Sequence, residues 1–257
     1  MSTQWTPSRD ATTRFSGRAG DYAKYRPTYP AAAIDAVLEG LGDPARLTIV
    51  DAGAGTGISA QLLSERGARV IALEPNDDMR SEAAASGLEV HNARADATHL
   101  PDNFADVVTA FQAFHWFGTD ATLAEFRRIL RPGGRIAIVW NQRDDNDPFA
   151  AGYGEIFDKR RQEEIAKTFS FNWTGVEAQL RDAGLRNART LYFSIAQELD
   201  REALLGRARS ASYVPASGPQ HDAIMRDLNC LHERYADALG FVILKYRTEV
   251  YLAEAPD

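Results

Sequence analysis

Apolar and polar positions along the chain fall into blocks that switch between two periods. Short apolar runs at 48–52, 69–73, 88–91, 102–110 and 136–141 are bounded by glycine, proline or charged residues. Runs of that length predict strands buried on both faces, as in a parallel sheet. Between several of them lie stretches with apolar residues three and four apart, at 59–66, 77–85 and 120–130. That spacing predicts helices with one face on a core. A further helix is expected over 30–41, stopped by Gly42 and Pro44, and another over 175–183, closed by Gly184. Beyond these come a sixth strand at 187–197, a mainly helical region at 198–240 and a last strand at 241–252. Strands alternating with helices predict an α/β fold, a doubly wound and mostly parallel sheet with helices on both faces.

One stretch carries most of the candidate chemistry. The first strand runs into Asp51-Ala52-Gly53-Ala54-Gly55-Thr56-Gly57-Ile58, with glycines at alternate positions ahead of the helix at 59–66. Glycines in such a turn let the backbone reverse sharply, and they let a ligand approach main-chain N–H groups that a Cβ blocks. The helix start behind them adds free N–H donors. The spacing discriminates among ligands. A dinucleotide fingerprint places its third glycine where this chain has Ile58, and a phosphate-binding loop ends in a lysine that Thr56-Gly57-Ile58 lacks. An acidic residue followed by alternate glycines remains, alongside the alternative of a tight strand-to-helix turn with no ligand.

This pattern resembles motif I of the class I S-adenosylmethionine (SAM) methyltransferases. Three further segments resemble the type 11 branch of that family. These are the lead-in Tyr22-Ala23-Lys24-Tyr25-Arg26-Pro27-Thr28-Tyr29-Pro30, the segment Gln112-Ala113-Phe114-His115-Trp116 after the fourth strand, and Ser210-Ala211-Ser212-Tyr213 in the helical region. The turn Leu130-Arg131-Pro132-Gly133-Gly134 is a frequent mark of the same superfamily. The resemblance spans 15–252 and implies a Rossmann-like seven-stranded sheet of order 3-2-1-4-5-7-6 with an antiparallel last strand. It also implies a single domain over 1–257, an N-terminal lid at 15–30 and a helical substrate cap at about 142–175 and 198–240.

The same resemblance assigns roles. Asp51, Ala52, Gly53, Gly55 and Gly57 build the cofactor turn, and Glu74, ending the second strand, accepts hydrogen bonds from the ribose hydroxyls. Pro75 follows in the same ribose-binding segment, Met79 lies near the adenine, and Asp96 bonds the adenine amino group while Ala97 supplies a backbone N–H. Ala110, Gln112 and His115 stand near the methionine end, where Tyr22 and Arg26 arrive from the lead-in. Arg26 suits a carboxylate of the cofactor or of a substrate. Tyr22, Trp116, Trp140, Asn141, Arg209 and Tyr213 are the candidate substrate residues. His115 is the candidate catalytic base, since it titrates near neutral pH; the alternative is a histidine that orients its loop. The implied cofactor is S-adenosyl-L-methionine, leaving S-adenosyl-L-homocysteine, and the implied acceptor is a small molecule methylated at O, N or C. A trans-aconitate-like acid is one alternative acceptor, a non-catalytic SAM-binding regulatory protein another reading, and an NAD-linked oxidoreductase is disfavoured by Ile58.

Composition changes this picture little. The chain has 257 residues, 44% hydrophobic and 25% charged, with net charge −7. No basic patch stands out, which argues against nucleic acid as a partner. Cys230 is the single cysteine, so no intrachain disulfide forms. No stretch approaches the roughly 20 apolar residues of a membrane span. The expectation is a cytoplasmic monomer or homodimer with no membrane partner. Asp144, Asp145 and Asp147 lack the glycine and terminal glutamate of a calcium loop, and no metal is expected.

Overall fold

The computed structural model describes residues 15–164 and 175–257, residues 159–164 by their backbone alone. Among these, seven strands form one sheet: β1 (Thr48–Ala52), β2 (Arg69–Leu73), β3 (Glu89–His91), β4 (Ala105–Phe111), β5 (Leu130–Arg143), β6 (Arg186–Leu199) and β7 (Val242–Glu254). Their order is β3-β2-β1-β4-β5-β7-β6. β1 to β5 pair in parallel, and β7 is antiparallel to both its neighbours. The strand order reverses between β1 and β4, so their carboxyl ends open onto the crevice where open α/β sheets bind ligands. The expected α/β class, strand order and antiparallel last strand are those observed.

The helices are α1 (Ala19–Tyr25), α2 (Ala31–Leu38), α3 (Ile58–Ser64), α4 (Asp77–Ala85), the single turn α5 (Phe114–Phe117), α6 (Asp120–Ile129), α7 (Pro148–Glu164), α8 (Val176–Asp182), α9 (Arg201–Arg209) and α10 (Pro219–Tyr235). Successive strand residues point to opposite faces, so β1 feeds two cores. Ile49 joins Ile34, Val37 and Leu63 on one face, while Val50 joins Leu123, Phe126 and Leu180 on the other. Each such side chain contributes about 1.5–3 kcal/mol on burial. That is why the strands read as unbroken apolar runs and the helices as half-apolar ones. Asn76 accepts from the Met79 N–H at 3.0 Å and starts α4, and Thr119 accepts from the Thr122 N–H and starts α6.

The larger departures from the pattern-based boundaries are four. The lead-in contains a helix, α1. β5 begins at Leu130 rather than 136, because the glycine-rich turn is continuous with the strand. A register shift against β4 and a left-handed Gly133 (φ 71°) absorb the extra length. β5 also runs on to Arg143 along β7, which takes 142–143 out of the expected cap. The region 198–240 breaks into α9 and α10 around the linker 210–218. A third apolar core lies under this part of the chain, where Phe149, Tyr153 and Phe157 of α7 meet Leu204 and Ala208 of α9, Leu228 of α10 and Leu244 of β7. Phe169, Phe171 and Trp173, expected in the cover, lie outside the described residues.

Candidate functional site

The turn after β1 is held open by its own backbone. The N–H groups of Gly53 and Ala54 both donate to the Leu73 carbonyl at the end of β2 (2.9 and 3.1 Å). Gly53, Gly55 and Gly57 all have positive φ, 69°, 60° and 88°, which only glycine adopts without strain. Their surroundings differ. A Cβ on Gly53 meets Ala113 Cβ at 2.8 Å and Phe117 Cε1 at 2.9 Å; one on Gly57 meets Leu88 Cδ1 at 2.4 Å. A Cβ on Gly55 meets nothing nearer than Tyr22 Cε1 at 4.0 Å, across open space. Gly53 and Gly57 therefore serve packing, and Gly55 faces a cavity.

Asp51 is buried beneath the turn and accepts from the hydroxyls of Ser59 (2.6 Å) and Thr109 (2.7 Å). Burial pushes its carboxyl up to about 6, and the two hydroxyl bonds oppose that shift. Asp51 anchors β1, α3 and β4 to one another and does not line the cavity. Glu74 does. Only 8% exposed, it accepts from the N–H groups of Gly55 (2.9 Å) and Asn76 (2.8 Å). Burial raises its pKa, and those two bonds lower it. Each carboxylate oxygen keeps a further lone pair for a hydroxyl donor.

The cavity, about 420 Å³, draws on the ends of β1, β2 and β4 and on the lead-in: Tyr22, Gly53, Gly55, Glu74, Pro75, Met79, Asp96, Gln112 and Trp116 all line it. Nine sequence-predicted residues thus come together on one surface. Gln112 holds a left-handed backbone (φ 52°) while its amide donates to the Asn141 carbonyl (3.2 Å). A strained non-glycine residue at a cavity wall is kept by its surroundings. Asp96 lines the cavity while paired at 2.9 and 3.0 Å with Arg94, which keeps its carboxyl low.

Above the cavity lies the lead-in. Phe15 packs edge-on against Tyr22 (5.9 Å) and Trp116 (5.8 Å). The Gly17 N–H donates to Asp78 at the start of α4 (2.8 Å). Arg18 donates to the carbonyls of Arg209, Ala211 and Val214 (2.6–2.8 Å), tying the lead-in to the α9–α10 linker. Behind Tyr22 a smaller recess of about 30 Å³ shares Tyr22, Gly53, Phe111 and Gln112 with the main cavity and adds Arg26 and Arg207.

The other predicted residues stand apart from these two linings. Ala52 and Ala110 are buried in the sheet, Gly57 starts α3, and Ala97 donates to the Arg94 carbonyl. The His115 ring packs against Trp116 (4.8 Å) and Trp140 (4.9 Å), one residue from the lining. Asn141 donates to the Thr28 carbonyl (3.0 Å) and accepts from Thr248 (2.6 Å), joining the lead-in to β5 and β7. Arg209 pairs with Asp21 (3.1 Å), and the Tyr213 ring packs on Phe157. Asp147 starts α7 and pairs with Lys245. Among the described residues, no group of three potential ligand side chains is placed to hold a metal ion, and no helix is long and apolar enough to cross a membrane.

Sequence reasoning did not single out Arg94, Ala95, Phe111, Ala113, Phe117 and Arg207, which also line these spaces. No local signal marked Arg207, which enters through the packing of α9.

Comparison with known proteins agrees with this geometry. Residues 50–138 match the type 11 family model, described as a methyltransferase domain. An uncharacterized methyltransferase of Mycobacterium bovis is 37% identical over 150 residues, covering 58% of this chain; the match spans 60% of that relative's own length. Among solved structures, the YcgJ protein of Bacillus subtilis superposes with a TM-score of 0.59 at 14% identity, over 89% of this chain and all of that one. A phosphoethanolamine N-methyltransferase of Haemonchus contortus, solved with S-adenosylhomocysteine, gives 0.57 at 14% identity, over 93% of this chain and 57% of that one. At such identities the likeness is one of fold. With the glycine turn, the strand order and the family match in agreement, residues 50–138 carry a methyltransferase domain of the type 11 branch on the class I fold.

Proposed function

We propose that the chain transfers the methyl group of SAM to a small-molecule acceptor. The observation that carries this reading is the open space over Gly55, walled by Glu74 and Tyr22 in the crevice of a sheet with the methyltransferase strand order. The residues fit the group. Glu74 offers lone pairs to the ribose hydroxyls. Met79 and Pro75 give an apolar wall, and Asp96 an acceptor, for the adenine. Gly53 and Gln112 border the methionine end, with Arg26 in reach of its carboxylate.

When bound, SAM supplies an electrophilic methyl carbon on a sulfonium. The chain's contribution is positional, since holding nucleophile, carbon and leaving group in line supplies much of such a rate. Phe15, Tyr22 and Trp116 exclude water, and their ring faces favour a cation. His115 takes a proton if the nucleophile arrives protonated. The helices α7, α9 and α10 form the acceptor-facing cover, with Tyr213 and Trp140 beside it. The acidic balance of −7 fits a small-molecule partner in the cytoplasm rather than a polyanion, and one chain or a pair of copies serves equally.

Calorimetry with SAM and S-adenosylhomocysteine tests the cofactor assignment, and mass spectrometry of SAM incubated with a metabolite pool tests turnover. Binding of neither overturns the reading. Tight binding without conversion in any pool supports the regulatory alternative instead.

A further inference from the structure

Behind Tyr22 the molecule buries the guanidinium of Arg207, which meets the Tyr246 hydroxyl and, among the described residues, no carboxylate. Arg207 is 5% exposed, and its Nε and Nη1 have no hydrogen-bond partner. Arg26 and Arg143 each bury an Nε without one. Between them stands Tyr153, fully buried, whose hydroxyl likewise has none. The four belong together: the charges of Arg207 and Arg143 both act on the Tyr153 phenol, Arg207 and Arg26 repel each other, and the Arg143 guanidinium lies 5.8 Å from the Tyr153 ring. Among the described residues, none of the three arginines forms an ion pair. The groups facing them are the phenols of Tyr22, Tyr153, Tyr213 and Tyr246. Arg26 is bound by one carbonyl, that of Ser210 (3.2 Å).

The arrangement is built in. Gly206 brings α9 onto the Tyr25 ring so closely that a Cβ there lies 2.3 Å from it, which fixes Arg207 at the recess. A buried ion without a partner and an unmet buried donor each cost stability. The unmet groups here include hydrogen-bond donors from three guanidiniums; an acceptor-rich anion meets these donors and their charge together. The recess of about 30 Å³, which exceeds the roughly 10–15 Å³ that one water needs, is lined by Arg26 and Arg207; Tyr153 and Arg143 stand behind Arg207, outside that lining.

The charge count separates the two sources of such an anion. SAM brings one carboxylate, but its ammonium and sulfonium make it a net cation. It meets one guanidinium and leaves two others, with added positive charge beside them. We propose that Arg207 and Arg143, with the Tyr153 hydroxyl, form a receptor for an acidic oxyanion group on the methyl acceptor, making the acceptor a small organic acid or phosphate ester. This rests on the methyl-transfer reading and narrows it. A carboxylate so clamped has its lone pairs engaged, so it anchors the acceptor.

The test uses the full chain saturated with S-adenosylhomocysteine, titrated calorimetrically with citrate and with inorganic phosphate, and compared with Arg207→Met, Arg143→Met and an exposed control, Arg201→Met. Wild type and the control bind at least one anion. Arg207→Met and Arg143→Met lose at least about tenfold in that affinity, the scale of a charge-assisted hydrogen bond, while S-adenosylhomocysteine affinity stays within about twofold. Both variants also melt no lower than wild type, because relieving an unpaired buried charge offsets the lost packing. Citrate alone identifies a carboxylate site and phosphate alone a phosphate site; either supports the proposal. Three results overturn it: neither anion binds wild type, the variants keep the anion, or they lose S-adenosylhomocysteine in its place. The last assigns the arginines to the cofactor's carboxylate. If wild type fails to bind S-adenosylhomocysteine at all, the methyl-transfer reading falls on that separate measurement.

Discussion

Adding one methyl group at Gly55 or at Gly53 separates ligand space from packing space within the same turn. Both residues have positive φ, so alanine at either site pays left-handed strain of about 1–2 kcal/mol. At Gly55 nothing else is added, because the nearest atom to the new Cβ is 4.0 Å away. At Gly53 the new Cβ lies 2.8 Å from Ala113 Cβ, a rigid neighbour, and 2.9 Å from the Phe117 ring, against an ordinary contact of about 3.5–4.0 Å. Overpacking of that kind adds about 1–3 kcal/mol. Gly55→Ala is therefore expected to lower stability by about 1–2 kcal/mol and Gly53→Ala by about 2–5 kcal/mol. In a domain of this size each kcal/mol is about 2–4 °C of Tm. Ligand affinity runs the other way relative to stability: Gly55→Ala nearly keeps its fold yet loses at least about tenfold, or 1.4 kcal/mol, in S-adenosylhomocysteine binding, because its methyl occupies the space facing Tyr22. Thermal melts and calorimetry on the two variants read both quantities. Wild-type affinity in Gly55→Ala refutes the cofactor assignment, and equal Tm losses refute the packing argument.

Substitutions at three more residues probe separate parts of the protein. Glu74→Gln keeps an acceptor for one backbone N–H and should bind S-adenosylhomocysteine about tenfold more weakly, while Glu74→Ala also strands the Gly55 and Asn76 N–H groups at about 1–3 kcal/mol each; unchanged affinity in a folded Gln variant removes Glu74 from the ribose site. Asp51 has a folded pKa of about 6 against 3.8, so between those values the folded state binds more protons and stability falls as pH rises from about 4 to about 6, by at most about 3 kcal/mol. Glu74, also raised, adds to that slope, and Glu125, held down to about 2 by Arg128, opposes it. Urea melts of wild type and Asp51→Asn across that window should show a difference that changes with pH, and a constant difference means Asp51 does not titrate there. His115→Ala should lower kcat by about 10²–10⁴-fold with SAM affinity unchanged if the nucleophile arrives protonated; a loss within about threefold, with no pH limb near neutrality, makes His115 a support for Trp116 and Trp140.

The fold was legible because its signals are local and agree with one another. Ile49, Val50, Val70 and Ile71 sit in strands covered on both faces, so burial erased the alternation that a half-exposed sheet would show. Asn76 marked the start of α4 by a side chain reaching three residues on. Boundaries failed where long-range pairing overrode a local turn signal. Leu130 to Gly134 reads as a reversal, yet β4 on one side and β7 on the other draw it into β5. In the site, Glu74 and Gly55 were legible because a strand end and a glycine turn place them without help from the rest of the chain. Asp51 was not, in the sense that its acidity beside the glycines suggested ligand contact, whereas Ser59 and Thr109 claim its oxygens inside the sheet.

Arg207 and Arg209 show what the sequence withholds. Both lie on α9, two residues apart, and each residue turns a helix by about 100°, so the two side chains leave it on nearly opposite sides. One of them must face inward and the other outward, and nothing in the local residues says which. The choice is made by Gly206, whose missing side chain lets Tyr25, far away in sequence, press against that flank of the helix. With α9 seated there, Arg209 falls outside and finds Asp21, while Arg207 is carried under the cover beside Tyr153 and Tyr246. An inward arginine is thus a product of tertiary packing, and disrupting the Gly206–Tyr25 contact tests it. Gly206→Leu, which cannot sit against Tyr25, should lower Tm and weaken anion binding while leaving residues 50–138 folded; an anion affinity equal to wild type would show that α9 does not set the receptor.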